Sequence, residues 1–190
     1  AYNSGSTIAR AVESFLAQDH PDKELIVIDG ASRDGTREIV RAFESPLIEL
    51  HSEPDKGIYD AMNKGLARVR GDVVGLLHSN DFYSSSTVLS YVAERMQTEN
   101  LDAIYADVEF FHPEDPEKTV RHYSSERFSP AMLKFGIMPA HPTLFLRSEV
   151  FERFGEYRTD MRIAADFEFV ARIFKNGRLA ARYVPQTWMG

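Results

Sequence analysis

Cysteine is absent from the 190 residues, which excludes a disulfide framework, a thiolate metal site and thiol redox chemistry. Long apolar runs are missing as well. No stretch approaches the roughly 20 residues needed to cross a bilayer, and the start lacks the charged and apolar regions of a signal peptide. Clusters of Lys and Arg are also lacking. With 22 Lys and Arg against 29 Asp and Glu, the net charge is −7 and the pI about 5.4. Nucleic acid is thereby excluded as a partner, because gripping phosphates needs a concentrated basic surface. No G-x-G-x-x-G follows an apolar run, which removes the nicotinamide dehydrogenases. Ala31 stands two residues after Asp29, where an aspartyl-nucleophile phosphatase needs a second acid. What remains is an acidic chain long enough to bury the core of one domain over 1–190, with a composition that suits the cytoplasm.

The apolar residues that are present alternate between two periods. Ile8, Val12, Phe15 and Leu16 have helical spacing, with Ser4 or Ser6 available as a cap. Residues 25–28 form a continuous apolar run ending at Asp29-Gly30, the pattern of a strand covered on both faces. Ile39, Val40 and Phe43 predict the next helix and residues 47–50 a short strand. Ile58, Met62, Leu66 and Val69 predict an amphipathic helix stopped by Gly71-Asp72. Residues 73–77 read as a buried strand, and Val88, Leu89, Val92 and Met96 as a helix. Alternation of this kind implies an α/β fold, a mostly parallel sheet flanked by helices. After residue 100 the pattern changes. Residues 103–111 and 119–123 predict a β-extension around a turn-rich segment at 112–117, residues 143–146 another strand, and Ile163, Phe167, Val170 and Phe174 one helical face. Both ends read as cut. Ala1-Tyr2-Asn3 opens without an initiator Met or a preceding strand, and Gly190 follows no polar tail, so a membrane-associating helix or further domain is expected beyond.

In an open parallel sheet, ligands bind at the carboxyl ends of the strands, where neighbouring loops diverge. Three polar clusters follow strands here. Asp29-Gly30-Ala31-Ser32-Arg33-Asp34-Gly35-Thr36 permits a tight turn in which Asp29 accepts hydrogen bonds from a base or ribose, and it fits a plain turn with Ser32 or Asp34 as a helix cap equally. The second cluster, residues 53–65, starts a helix whose free N–H groups favour an anion, with Lys56, Gly57, Tyr59, Asp60, Asn63 and Lys64 nearby. Close helix–sheet packing accounts for Gly57, Ala61 and Gly65 at intervals of four, and leaves the polar set unexplained. The third is His78-Ser79-Asn80-Asp81. A strand-end carboxylate holds a hard divalent cation while phosphates complete its coordination, so Asp81 is the candidate ligand for Mn²⁺ or Mg²⁺, with helix capping as the alternative. His78 reads as a packed loop residue. A fourth feature is Asp166, at a helix start on the edge of an apolar stripe. It suits a general base, and it suits a simple partner of the helix dipole.

In order and spacing these motifs resemble glycosyltransferase family 2, whose members have the GT-A fold, over nearly the whole chain. Tyr2-Asn3 matches the turn that ends that family's opening strand, residues 29–36 its Asp-rich turn, residues 57–65 its Asn- and Gly-patterned helix, and Ser79-Asn80-Asp81 its metal-binding acidic motif. The resemblance implies a nucleotide-sugar-binding half (1–100) and an acceptor-side half (101–190). It places the nucleotide against Tyr2, Asn3, Asp29, Lys56, Gly57, Asp60, Asn63, Ser79 and Asn80, and the metal on Asp81. His141, in His141-Pro142-Thr143, would touch the diphosphate or acceptor, and Asp166 would deprotonate the acceptor hydroxyl. The implied reaction is an inverting single displacement from a nucleotide-diphosphate sugar, UDP-sugar favoured, to a saccharide or lipid-linked acceptor. Its setting would be cell-surface polysaccharide synthesis, cytoplasmic or peripheral to the inner membrane. Asn80, Ala165 and Gly30-Ala31 depart from that pattern, where Asp, Glu and a more acidic turn are usual. The alternatives are a nucleotide-sugar pyrophosphorylase and, from another class, a non-catalytic nucleotide-sugar-binding domain. Asp166 separates them, since a transferase alone needs a base there.

Overall fold

Apolar residues at three- and four-residue intervals fold helix α1 (Ile8–Leu16), burying Ile8, Ala11, Val12 and Phe15 on one face. The computed structural model describes residues 1–112, 115–175 and 178–190, without the side chains of 115–117. The run after α1 forms strand β1 (Leu25–Asp29), joined through helix α2 (Thr36–Arg41) to strand β2 (Ile48–Ser52). The two strands pair in parallel from Leu25 with Ile48 to Asp29 with Ser52, as the apolar pattern implies. Ala1 pairs with the end of β1 through bonds from its amino group to the Ile28 carbonyl and from the Gly30 N–H to its own carbonyl. Helix α3 (Ile58–Leu66) follows and packs on β1.

A second, five-stranded sheet is mixed rather than mostly parallel. Its strands are β3 (Val73–Val74), β4 (Ala103–His112), β5 (Asp115–Tyr123), β6 (Phe145–Arg147) and β7 (Ala181–Met189), ordered β3-β6-β4-β5 with β7 also on β4. The β4–β7 pair is parallel, and the other pairings are antiparallel. The turn expected between β4 and β5 falls at 113–114, outside the described residues. Strand β3 is shorter than the apolar run 73–77 suggests. The Phe145 ring lies so close to Gly75 that a Cβ there would sit 2.4 Å from it, and the chain leaves the ladder at that point.

Side chains alternate across β4, and each set has its own core. Ile104, Ala106 and Val108 face Val88, Val92 and Met96 of helix α4 (Val88–Thr98), together with Trp188 of β7. Ala103 and Tyr105 face Val150 of helix α5 (Ser148–Phe154) and Phe169, Ile173 and Phe174 of helix α6 (Ala165–Phe174). Phe169 is fully buried, so truncating it to Ala costs about 3–5 kcal/mol. One expectation shifts. Ile163 lies before α6 and is 82% exposed, and the buried face is Ala165, Phe169, Val170, Ile173 and Phe174. No described helix is long and apolar enough to cross a membrane.

Candidate donor and acceptor site

Between the free edge of β1 and β3 runs a cleft of about 980 Å³, apolar at depth, whose polar mouth carries Tyr2, Asp55, Gly57, His78, Ser79 and Asn80. The loops after β1, β2 and β3 meet at this mouth. Asp29, at the end of β1, is fully buried. One of its oxygens accepts the Ser32 hydroxyl, and the other accepts the Ser32 N–H at 3.1 Å and the Ser52 hydroxyl at 2.6 Å. Burial alone would raise its pKa, but the bonds from Ser32 and Ser52 outweigh burial and hold the carboxyl below its ordinary range. Asp29 thus organises its own loop. Asn3, in the left-handed region at φ 47°, does the same from the other side. Its N–H donates to Ser32 Oγ at 2.8 Å, and its Oδ1 accepts the Arg33 N–H at 3.0 Å.

What the mouth leaves exposed is Tyr2, whose ring lies over Gly30 beside Asp55. A Cβ on Gly30 would meet Asp55 Oδ2 at 2.4 Å, which is why this turn carries glycine. Gly57 opens α3 at φ 121°, a conformation that side chains rarely adopt. Asp60 accepts the Lys56 N–H at 3.0 Å and lies 3.4 Å from Lys64 Nζ, which orders the loop that presents Lys56 and Gly57. Ser79 Oγ lies 2.8 Å from Ser4 Oγ, tying the loop after β3 to the N-terminal turn, and Asn80 is exposed at the rim. Asn63 departs from its expected nucleotide contact. Its Nδ2 donates to the Tyr157 carbonyl at 2.8 Å and its Oδ1 accepts the Tyr157 N–H at 3.0 Å, so both amide atoms clasp the backbone at Tyr157.

Asp81 is positioned by the end of β7, because Phe82 and Gly190 exchange backbone hydrogen bonds and Ser84 N–H donates to the Trp188 carbonyl. Its Oδ2 is buried with no hydrogen-bond partner, and burial pushes its carboxyl up to about 6. An orphaned buried carboxylate oxygen fits a hard cation. Among the described residues no group of three His, Cys, Asp or Glu side chains is placed to hold a metal ion.

Asp166 occupies the first turn of α6, just after Ala164 in the left-handed region at φ 64°. Its Oδ1 accepts the Tyr59 hydroxyl at 3.1 Å. His141 is buried beside it, with Nε2 3.1 Å from the Tyr157 hydroxyl and its ring stacked on His78 at 6.2 Å. Burial, then the neighbouring His78, lowers His141 to about 4, so it is neutral near pH 7. Burial also lowers His78. His78 belongs to the cleft as well, so it joins the mouth to the Asp166 cluster. Sequence reading did not single out Tyr157 and saw Tyr59 as one of a polar set. The usable signal was the i, i+4 spacing of Tyr59 and Asn63, which puts both on one face of α3.

A mixed α/β sheet with helices packed on it, its strand-end loops gathered at one edge, has the GT-A fold of sugar-transferring enzymes. Residues 1–155 match the model of Glycosyl transferase family 2, and the chain belongs to that family of glycosyltransferases. A PGL/p-HBAD biosynthesis glycosyltransferase of Mycobacterium bovis is 29% identical over 186 residues, covering 96% of this chain and 70% of the relative. Among solved structures, S. aureus TarS 1–349 in complex with UDP-GlcNAc superposes with a TM-score of 0.82 at 18% identity, over 100% of this chain and 55% of that one. Mannosyltransferase PcManGT from Pyrobaculum calidifontis, in complex with GDP-Man and Mn²⁺, gives 0.74 at 23% identity over 98% and 53%. The chain spans 35% of the longer TarS chain.

Proposed function

We propose that this chain transfers a sugar from a nucleotide-diphosphate donor, a UDP-sugar in preference, to a hydroxyl of a saccharide or lipid-linked acceptor, with inversion at the anomeric carbon. The observation that carries this reading is the position of Asp166. Its carboxylate accepts the Tyr59 hydroxyl and is close enough to His141 and to His78, in the loop that runs on to Asp81, to act on both electrostatically. In this reading Tyr2, Asn3, Asp29 and the start of α3 at Lys56 and Gly57 shape the nucleotide site, with Asp60 ordering that start, Ser79 and Asn80 flank the diphosphate, and His141 borders the acceptor as a neutral group. The acceptor oxygen attacks the anomeric carbon while the bond to the diphosphate breaks and its electron pair leaves on the phosphate oxygen. The acceptor proton passes to Asp166. Asp81 would hold a divalent cation, Mn²⁺ or Mg²⁺, which would supply positive charge to the leaving diphosphate. Support for a nucleotide-sugar donor comes from the UDP-GlcNAc and GDP-Man held by two proteins of the same fold. Support for a setting in glycoconjugate synthesis comes from the mycobacterial relative, a PGL/p-HBAD biosynthesis glycosyltransferase.

The test is Asp166→Asn. Donor binding, read by calorimetry, is expected to stay within about twofold while turnover falls by about 10²–10⁴, the range for losing a general base. Turnover at the wild-type rate would remove Asp166 from the reaction.

A further inference from the structure

Tyr59 has no place in the donor site described above, yet it makes the hydrogen bond that reaches Asp166. We infer that Tyr59 is a positioning residue for Asp166, its hydroxyl fixing one carboxylate oxygen so that the other is presented to the acceptor. This rests on the reading of Asp166 as the group that takes the acceptor proton.

The bond joins the two halves of the chain, from α3 to α6, across 107 positions of sequence. Both of its ends are held. The Tyr59 ring stacks on Tyr157 at 6.2 Å and 21°, Tyr157 packs on Phe169 at 4.6 Å, and the Asn63 clasp one helical turn along α3 grips the backbone of Tyr157. A phenol held in this way keeps a fixed hydroxyl direction, so its oxygen is a reference point for the carboxylate. Burial, then the charge of Asp166, raises the pKa of Tyr59, and the hydroxyl therefore stays protonated as a donor across the working pH range. The titratable groups around Asp166 come from four elements: Tyr59 on α3, His78 after β3, His141 in the turn before β6, and Tyr157 before α6. Both histidines are held toward their neutral forms by burial, and neither has a hydrogen bond to Asp166 among those described. Tyr59 is thus the group placed to orient the carboxylate.

Packing alone would also keep an aromatic ring at position 59, and Tyr59→Phe separates the two roles, because it keeps the ring and removes the oxygen. The assay follows nucleotide release from UDP-GlcNAc, UDP-glucose and GDP-mannose, with water or free sugar as acceptor. With the donor that is turned over, Tyr59→Phe is expected to lower kcat roughly 10- to 100-fold, the size of one hydrogen bond to a charged group, with the donor KM within about twofold. An unchanged kcat, or a raised donor KM with kcat unchanged, would overturn the inference. A readout independent of turnover is the ¹³C carboxyl resonance of Asp166, which is expected to move in Tyr59→Phe at pH 7. An unmoved resonance overturns the inference too. Asp166→Asn run in parallel keeps the two claims apart. Wild-type turnover in that variant defeats the reading of Asp166 as the base, whereas a dead Asp166→Asn beside a wild-type-like Tyr59→Phe defeats only the role of Tyr59.

Discussion

His141 shows how far a single side chain can depart from what its type suggests. A histidine in a loop near a phosphate site invites a charged role, but this one is buried against Tyr157 and His78 and lowered to about 4. Its ordinary value is 6.5, so the unfolded chain binds this proton more readily than the folded one between pH 6.5 and 4. Above pH 6.5 both states are neutral here and the contribution is fully present. As pH falls through that window, stability is lost, and below 4 the slope from this group ends. The expected loss is on the order of 1–2 kcal/mol between pH 6.5 and 5. Urea unfolding at these two pH values, for the wild type and His141→Gln, reads it directly. The variant should show a shallower dependence, and an identical slope would mean that His141 does not carry the effect.

At the scale of elements, α3 does two jobs that its sequence pattern only half discloses. Its start, Lys56 to Gly57, faces the cleft mouth, while Tyr59 and Asn63 face the acceptor-side half. Asn63→Ala removes two hydrogen bonds to the Tyr157 backbone and leaves buried polar groups without partners, so it should destabilise the fold by about 1–3 kcal/mol. Nucleotide affinity should stay within about twofold, measured at a temperature where the variant is folded. A large loss of affinity at unchanged stability would return Asn63 to the nucleotide site. Elements written in one clean period were legible from sequence: β1 as an apolar run, and α1 and α4 as stripes at helical spacing. Strand β7 was not. Pro185 interrupts its alternation, and the pairing with β4 slips between Tyr105–Tyr183 and Asp107–Thr187 to absorb the residue that lacks an N–H. The apolar run continues past Gly75, whereas β3 ends at Val74, next to the point where the Phe145 ring lies against Gly75. Helix α5, seven residues long, was too short to show a period. The polar loops announced their position at the strand ends, but which atoms they spend on one another is set by contacts 29 to 107 residues apart.

Across the whole molecule, the loops at the strand ends divide the work between two aspartates with opposite environments. Asp29 is saturated with hydrogen bonds and shapes the mouth from beneath, whereas Asp81 is buried with an oxygen left unpartnered. The five-stranded sheet supports this difference, because the end of β7 closes on 82–84 and fixes the segment just after Asp81. We propose that this orphaned oxygen would hold a divalent cation, which would lend positive charge to the donor's diphosphate. Calorimetry of UDP binding with and without Mn²⁺, on the wild type and on Asp81→Ala, tests it most directly. We expect Mn²⁺ to tighten UDP binding to the wild type by at least about tenfold, equivalent to 1.4 kcal/mol, and to leave Asp81→Ala unaffected. Equal affinity of the wild type for UDP with and without the metal would contradict it.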